Sequence, residues 1–139
     1  MPPETTAGFR LSPQQERLWT QAGADAAGFR SQCAVRIEGP VDAERLRAAL
    51  TSLVGRYEIL RTVFPHQAGL KVPFQVILDP GALHGNTLAW KTVDLAEHGN
   101  GVRASGSVAE LLQSELTAPI DLERGPVVHA VLGLSLIHI

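Results

Sequence analysis

Length, composition and charge already limit what this chain can be. Its 139 residues are 45% hydrophobic and carry a formal net charge of −2, from 12 basic and 14 acidic residues, which suits one modest domain with a packed core. No basic block stands out, so binding of nucleic acid through a charged patch is not expected, and no apolar run is long enough to span a membrane.

The first predicted helix follows a loose leader at residues 1–10. Ser12 is placed as its N-cap, Pro13 occupies the first helical position, and Gln15 completes a capping box three residues after Ser12. The helix would present one apolar face, on which Trp19 is expected to pack in the core. That face comprises Leu11, Gln15, Leu18, Trp19 and Ala22.

Alternating apolar residues next predict a half-buried strand over residues 32–38, ended by Gly39 and Pro40. Cys33 falls on its apolar side and is expected to be an inert, buried thiol, because no activating base is evident nearby. Since Cys33 is the single cysteine, no intramolecular disulfide can form, which fits a reducing cytoplasm.

The second helix is the best-defined element of the sequence. Asp42 is its expected N-cap, and Val41 with Leu46 would form a hydrophobic staple. Its apolar stripe is predicted to run from Leu46 to Tyr57, through Ala49, Leu50, Leu53 and Val54.

The helix leads into a strand at residues 60–64, where Leu60, Thr62 and Phe64 alternate with Arg61 and Val63. This alternation predicts that Arg61 points to the same face as apolar Val63. An inward arginine is costly unless a carboxylate meets it. The alternative is an edge strand from which Arg61 reaches solvent.

A hairpin is predicted beyond this strand, with a loop at residues 65–72, Gly69 at its tip and a returning strand at residues 74–78. Pro80 and Gly81 would turn the chain before a short strand at residues 88–92. A surface loop is expected at residues 98–106. Ser107 and Glu110 would then cap a helix that stops at Pro119, before a final strand opening over residues 127–132.

Three stretches of this sequence resemble motifs of the condensation domains of nonribosomal peptide synthetases. The first matches the family's opening run at Ser12, Gln15, Arg17, Leu18 and Trp19. The second resembles the Arg-His-Glu-x-Leu-Arg-Thr-x-Phe run at Arg56, Glu58, Leu60, Arg61, Thr62 and Phe64, with Tyr57 where the histidine is usual. The third, residues 119–126, is similar to the segment Pro-Phe-Asp-Leu-x-x-Gly-Pro.

The resemblance implies an α/β fold with a mixed sheet and packed helices, as the incomplete N-terminal half of a two-lobed, chloramphenicol acetyltransferase-like domain. It implies amide formation between thioesters tethered by phosphopantetheine to carrier proteins, with carrier proteins and adjacent synthetase domains as partners and no directly bound cofactor or metal. By the resemblance, the second histidine of a His-His-x-x-x-Asp-Gly signature acts at the reacting centre as a base or an orienting group. By the resemblance, Arg61 supports the site by meeting the aspartate of that signature.

No His-x-x-x-Asp spacing occurs in this sequence, so no catalytic residue is expected within it. Residues 11–139 are expected to be the N-terminal part of the domain, truncated before the signature. His138 superficially resembles the second signature histidine, but only 12 residues separate it from Pro126. Two strands of about 5–6 residues and a turn would fill or exceed that interval. Residues 135–139 are either native sequence or a read-through tail.

Two other interpretations stay open. One is an epimerization or heterocyclization domain of the same superfamily, and the other is a scaffold module that binds carrier proteins without catalysis. The sequence beyond Ile139 would distinguish them, because an intact signature favours an enzyme and a degenerate one favours a scaffold.

The remaining histidines are expected to be solvated or to pack passively. They are His66, His84, His98 and His129.

Overall fold

The computed structural model describes residues 8–22, 30–81, 88–95 and 104–134. The helices are α1 (Pro13–Ala22), α2 (Ala43–Arg56) and α3 (Ala104–Thr117), and a 3₁₀ turn covers Glu58–Arg61. The strands are β1 (Gly8–Phe9), β2 (Thr62–Val63), β3 (Gln75–Ile77), β4 (Ala89–Asp94) and β5 (His129–Leu134). These elements confirm the expected α/β class. No helix in the described ranges is both long and apolar enough to cross a membrane.

Two small sheets organise these strands. One has the order β1-β3-β2 and is antiparallel, with Val76 of the central strand opposite Gly8 on one side and Val63 on the other. The other joins β4 and β5 in parallel, from Ala89 opposite His129 to Asp94 opposite Leu134. Parallel neighbours need a long crossover, and α3 lies in the connection between these two strands.

The predicted starts of α1 and α2 are confirmed by hydrogen bonds. At α1, the Gln15 amide donates to Ser12 Oγ over 3.2 Å while the Ser12 amide donates to Gln15 Oε1 over 2.8 Å. At α2, the Arg45 amide donates to Asp42 Oδ1 over 3.0 Å. Each bond satisfies a backbone donor that the first helical turn leaves without a partner, so short local patterns are enough to fix where these helices begin.

The buried hydrophobic residues of the described ranges are Val54, Val63, Val76 and Leu88. Val54 of α2 is only 1% exposed, and Val63 and Val76 are buried on neighbouring strands. Thr62 is the one buried polar residue among those described, and its hydroxyl donates to the Glu58 carbonyl over 2.8 Å. Burying a hydroxyl is costly unless it is hydrogen-bonded, so this bond lets β2 start inside the core.

The leader and the start of α3 have other boundaries in the structure than the sequence predicts. The sequence predicts a loose leader through residue 10, but Gly8 and Phe9 form β1 and pair with β3. Helix α3 begins at Ala104, which places Ser107 inside the helix and not at its N-cap, and shortens the loop expected at residues 98–106. Residues 98–103 of that loop, like the loop expected at residues 23–28, lie outside the described ranges.

The strand predicted at residues 32–38 is wrong. This segment has no regular secondary structure, Cys33 is exposed and not buried, and Val35 is 78% exposed. A strand requires a neighbour to accept and donate its backbone hydrogen bonds. None of the five described strands lies beside this segment, so the alternation of its side chains is not enough to make it a strand.

Candidate functional site

The first and second sequence stretches meet through an aromatic pair. Helix α1 carries Trp19, whose ring centroid lies 6.3 Å from that of Phe64, with the ring planes tilted by 35°. Both residues are half-buried. This distance falls within the range of favourable aromatic pairs. Core packing of Trp19, predicted from the sequence, therefore joins α1 to the chain just beyond β2.

The second and third stretches meet on the backbone of Phe64. Its amide donates to the Leu122 carbonyl over 2.7 Å. The turn around Leu122 is shaped by Asp121, whose Oδ1 accepts from the amides of Glu123 at 2.9 Å and Arg124 at 3.1 Å. An aspartate that binds amides two and three residues ahead fixes a tight turn. All three sequence stretches thus converge at Phe64.

Gly125 completes this turn with a backbone conformation that favours glycine. Its φ is +76°, and its amide donates to the Asp121 carbonyl over 2.8 Å. A Cβ at this position would lie 3.4 Å from Cγ1 of buried Val63. Residues with a side chain avoid the left-handed region because Cβ crowds the backbone. The glycine therefore lets the third stretch lie close against β2.

A relay of side-chain amides holds the start of α1 against the sheet. Gln15 Nε2 donates to Gln75 Oε1 over 3.2 Å, and Gln75 Nε2 donates to the Arg10 carbonyl over 2.9 Å. Since Gln75 belongs to β3, the relay ties α1 to the middle strand of the sheet. Sequence analysis identified Gln15 but not Gln75, because a glutamine on a short strand carries no distinctive pattern.

Arg61 lies inward, although not by the alternation that predicted it. It ends the 3₁₀ turn, and the strand begins only at Thr62. Its side chain is nevertheless only 12% exposed, so the alternative in which it reaches solvent is wrong. Arg61 Nη1 donates to the Leu78 carbonyl over 2.7 Å. Arg61 is therefore buried by the fold around a backbone acceptor on the chain beyond β3.

The charge of Arg61 has only weak local compensation. Glu58 Oε1 lies 3.9 Å from Arg61 Nη2, and the Glu58 side chain is 67% exposed. Arg61 Nε is buried and makes no hydrogen bond with any residue in the described ranges. A guanidinium has five N–H donors, and a carboxylate can accept two of them side by side. The guanidinium of Arg61 can thus donate to a further acceptor, and a carboxylate fits its geometry and charge best.

Tyr57 and its neighbour Arg56 face outward. Tyr57 caps the C-terminus of α2 and is 49% exposed, so the prediction that it packs in the apolar stripe is wrong. The Arg56 guanidinium carbon lies 5.6 Å above the centre of the Tyr57 ring, within the range of a cation–π contact. Because the helix ends before residue 57, its periodicity no longer decides where this side chain points. Other residues that match the family motifs differ in exposure: Leu60 is half-buried, and Arg17 and Leu18 are exposed.

No reactive cluster is formed by the described residues. No group of three or more histidine, cysteine, aspartate or glutamate side chains within those ranges could hold a metal ion. His66 and His129 are exposed, as expected, and His129 Nε2 lies 3.2 Å from the Pro126 carbonyl. The predictions for His84, His98 and His138 concern residues outside the described ranges. The contacts around Phe64 and Arg61 bring the three sequence stretches together.

Comparison with known proteins identifies relatives over almost the whole chain. A family model described as "Condensation domain" matches residues 7–133. Nonribosomal peptide synthetase kk1B from Curvularia clavata is 35% identical over 125 residues, which cover 88% of this chain and 1% of that protein. Phosphinothricin tripeptide synthetase PhsC from Streptomyces viridochromogenes is 32% identical over 132 residues, which cover 94% of this chain and 11% of that protein.

Among solved structures, the epimerization domain from the third module of tyrocidine synthetase B has a similar fold. The TM-score is 0.74 at 24% sequence identity, and the match covers 92% of this chain and 27% of that one. Identity at this level carries the fold alone. The chain spans about a quarter of the length of this structural relative and a much smaller share of the synthetases it matches.

Proposed function

Because this chain belongs to the condensation-domain family of nonribosomal peptide synthetases, we propose that it serves a domain that joins two carrier-bound acyl groups through an amide bond. In that reaction the amine of the acceptor attacks the thioester carbonyl of the donor. A C–N bond forms and the C–S bond breaks. The amine loses a proton, and the thiol of the donor carrier leaves.

The role proposed for this chain is to position the reacting groups. The His-His-x-x-x-Asp-Gly signature, whose second histidine would act as a base or an orienting group, does not occur in this sequence. The observation that carries the proposal is the state of Arg61, a buried guanidinium with one short hydrogen bond, a distant carboxylate and an unpaired Nε. The planar fork of arginine binds a carboxylate through two parallel hydrogen bonds. Arg61 would therefore hold the signature aspartate and, with it, the loop that carries the histidines.

The packing around Arg61 supports this role. The Leu78 amide donates to the Arg61 carbonyl over 3.0 Å, while the Arg61 side chain donates back to the Leu78 carbonyl. The residue is thus held by both backbone and side chain on one neighbouring segment. Positioning groups are effective when their own geometry is fixed by surrounding contacts. A loop bound to Arg61 would inherit that fixed position.

The proposed partners follow from the same chemistry. The substrates would arrive as thioesters on phosphopantetheine arms of peptidyl or aminoacyl carrier proteins, with neighbouring synthetase domains on either side. No cofactor or metal would be bound directly. A cytoplasmic location is proposed because the single cysteine fits a reducing compartment.

The test is peptide formation from two loaded carrier proteins by a domain that contains this chain and the signature. Arg61→Met should lower the turnover number by about a hundredfold, the loss typical of misplacing a catalytic group by about 1 Å. Arg56→Met is the matched control, because Arg56 belongs to the same stretch but lies exposed above Tyr57. Its turnover number should equal that of the parent.

Three results would overturn the proposal. Equal turnover of Arg61→Met and the parent would remove the positioning role of Arg61. Inversion at the α-carbon of the donor with no new amide would instead assign the epimerization class. Carrier binding with neither reaction would favour the scaffold interpretation.

A further inference from the structure

Thr62 is a buried residue of the second stretch whose hydroxyl has a specific partner. It follows Arg61, begins β2 and is 3% exposed. Its hydroxyl donates to the Glu58 carbonyl, four residues earlier, over 2.8 Å. A threonine hydroxyl that bonds to a nearby carbonyl constrains the backbone between the two residues. The bond therefore ties the start of the strand to the turn that precedes it.

The turn that Thr62 closes is the one that ends at Arg61. Residues Glu58–Arg61 form a single 3₁₀ turn. The hydrogen bonds of 3₁₀ turns have poorer geometry than those of an α-helix, so such turns are held weakly by their own backbone. The Thr62 hydroxyl spans this whole turn, from the residue after its end to its first residue. It therefore limits the backbone angles that Arg61 can adopt.

The direction of the Arg61 guanidinium depends on these backbone angles. The Arg61 carbonyl accepts from the Leu78 amide over 3.0 Å, and its Nη1 donates to the Leu78 carbonyl over 2.7 Å. These two bonds hold Arg61 against the segment after β3, and the Thr62 bond holds it against the preceding turn. Because φ and ψ decide which rotamers a side chain can adopt, a change in the turn would redirect the guanidinium.

We propose that Thr62 is a positioning residue for amide formation and acts through Arg61. Its hydroxyl holds the 3₁₀ turn in the form that directs the Arg61 guanidinium toward the aspartate of the signature. The inference rests on the proposed role of Arg61 and adds the residue that sets its direction. Such support matters because a displacement of about 1 Å in a catalytic arrangement can cost about a hundredfold in rate.

Two matched pairs of proteins isolate the hydroxyl in a domain that contains this chain and the signature. Thr62→Val replaces the hydroxyl of the parent by a methyl group, and Thr62→Ala differs from Thr62→Ser by the hydroxyl alone. In each pair, loss of the hydroxyl should lower the turnover number for peptide formation from loaded carriers by about tenfold. The KM for either carrier should stay within about twofold, because Thr62 would not touch the substrates.

The serine variant separates positioning from stability. Thr62→Ser removes a buried methyl group and should lower the urea midpoint, since deleting buried methyl groups destabilises a core. It retains the hydroxyl, so its turnover number should stay within about twofold of that of the parent. An equal loss of turnover in Thr62→Ser and Thr62→Val would overturn the proposal.

Thr51→Val is the matched control for the hydrogen bond itself. The Thr51 hydroxyl donates to the Arg47 carbonyl, also four residues earlier, over 2.9 Å, but Thr51 is exposed on α2. Its replacement removes the same kind of bond at a distance from Arg61 in the sequence. The turnover number should equal that of the parent, and a tenfold loss would overturn the proposal.

A double-mutant cycle tests whether Thr62 acts through Arg61. In an Arg61→Met background, Thr62→Val should change the turnover number by less than about twofold, because the group that it positions is gone. A tenfold loss in both backgrounds would overturn the proposal. Failure of both hydroxyl-free variants to fold would overturn it as well, since the hydroxyl would then serve stability. Parent turnover in Thr62→Val would refute this inference alone, whereas parent turnover in Arg61→Met would also refute the proposed role of Arg61.

Discussion

Replacing Arg61 with methionine tests whether this arginine is built to meet a distant carboxylate. The change keeps most of the apolar stem and removes the guanidinium. In this chain it deletes the 2.7 Å hydrogen bond from Nη1 to the Leu78 carbonyl. A hydrogen bond to a charged group contributes about 1.5–3 kcal/mol to the free energy of unfolding. The change also deletes the 3.9 Å pair with Glu58, and such exposed pairs contribute about 0–1 kcal/mol.

These losses are offset by a cost that the substitution removes. Arg61 Nε is buried with no hydrogen bond to the described residues, and an unsatisfied buried donor costs about 1–3 kcal/mol. The free energy of unfolding of this chain should therefore change by less than about 1 kcal/mol. In a domain that supplies the signature aspartate, Arg61→Met would leave a buried carboxylate unpaired. Breaking such a pair typically costs about 3–5 kcal/mol.

Urea melts of parent and variant, in this chain and in the complete domain, measure the difference. Arg30→Met is the matched control, because Arg30 also has a buried, unpaired Nε but makes two hydrogen bonds to carbonyls at the end of α3. It should destabilise this chain by about 2 kcal/mol. If Arg61→Met destabilises chain and complete domain equally, the local partners suffice and the pairing argument fails.

Other predictions follow from single contacts. Ser12→Ala should lower the free energy of unfolding by about 1 kcal/mol through loss of the capping box, measured in urea, and an unchanged value would contradict the role of this cap. Gly125→Ala should cost about 1–2 kcal/mol because φ is +76°, and a neutral result in thermal melts would show that the turn relaxes. Tyr57→His, at a half-exposed position, should leave the condensation rate of a complete domain within about threefold, and a large gain would give the histidine a chemical role. This chain alone should form no peptide from loaded carriers. Peptide above the no-enzyme background that disappears in His138→Ala would contradict that expectation.

The helix starts were predictable because their causes are local. Ser12 with Gln15, and Asp42 with the Arg45 amide, act within three residues of each other. The hairpin between β2 and β3 was equally predictable from the sequence, and Gly69 adopts a φ of +88° at its expected tip. Ser107 shows the limit of this approach. A serine followed by glutamate three residues later fits a cap, but α3 extends past it to Ala104.

Predictions that depended on distant partners were less successful. The segment around Cys33 has the side-chain pattern of a strand, but the pattern does not specify which strand would lie beside it. Its position is set by Arg30 and Gln32 bonding to carbonyls of α3, about 80 residues later in the chain. Backbone carbonyls carry no sequence signal, so these anchors could not be predicted.

For Arg61, the inward position was predicted correctly, but its cause is a distant partner. Its burial was predicted from an alternation that does not exist, because the residue ends a 3₁₀ turn and β2 starts after it. The inward position instead follows from the Leu78 carbonyl, 17 residues away, which accepts from its guanidinium. A backbone acceptor fixes the position of the side chain without neutralising its charge. This explains how Arg61 can be held in place by the described residues and still have donors available for a carboxylate, which is the property that a positioning arginine needs.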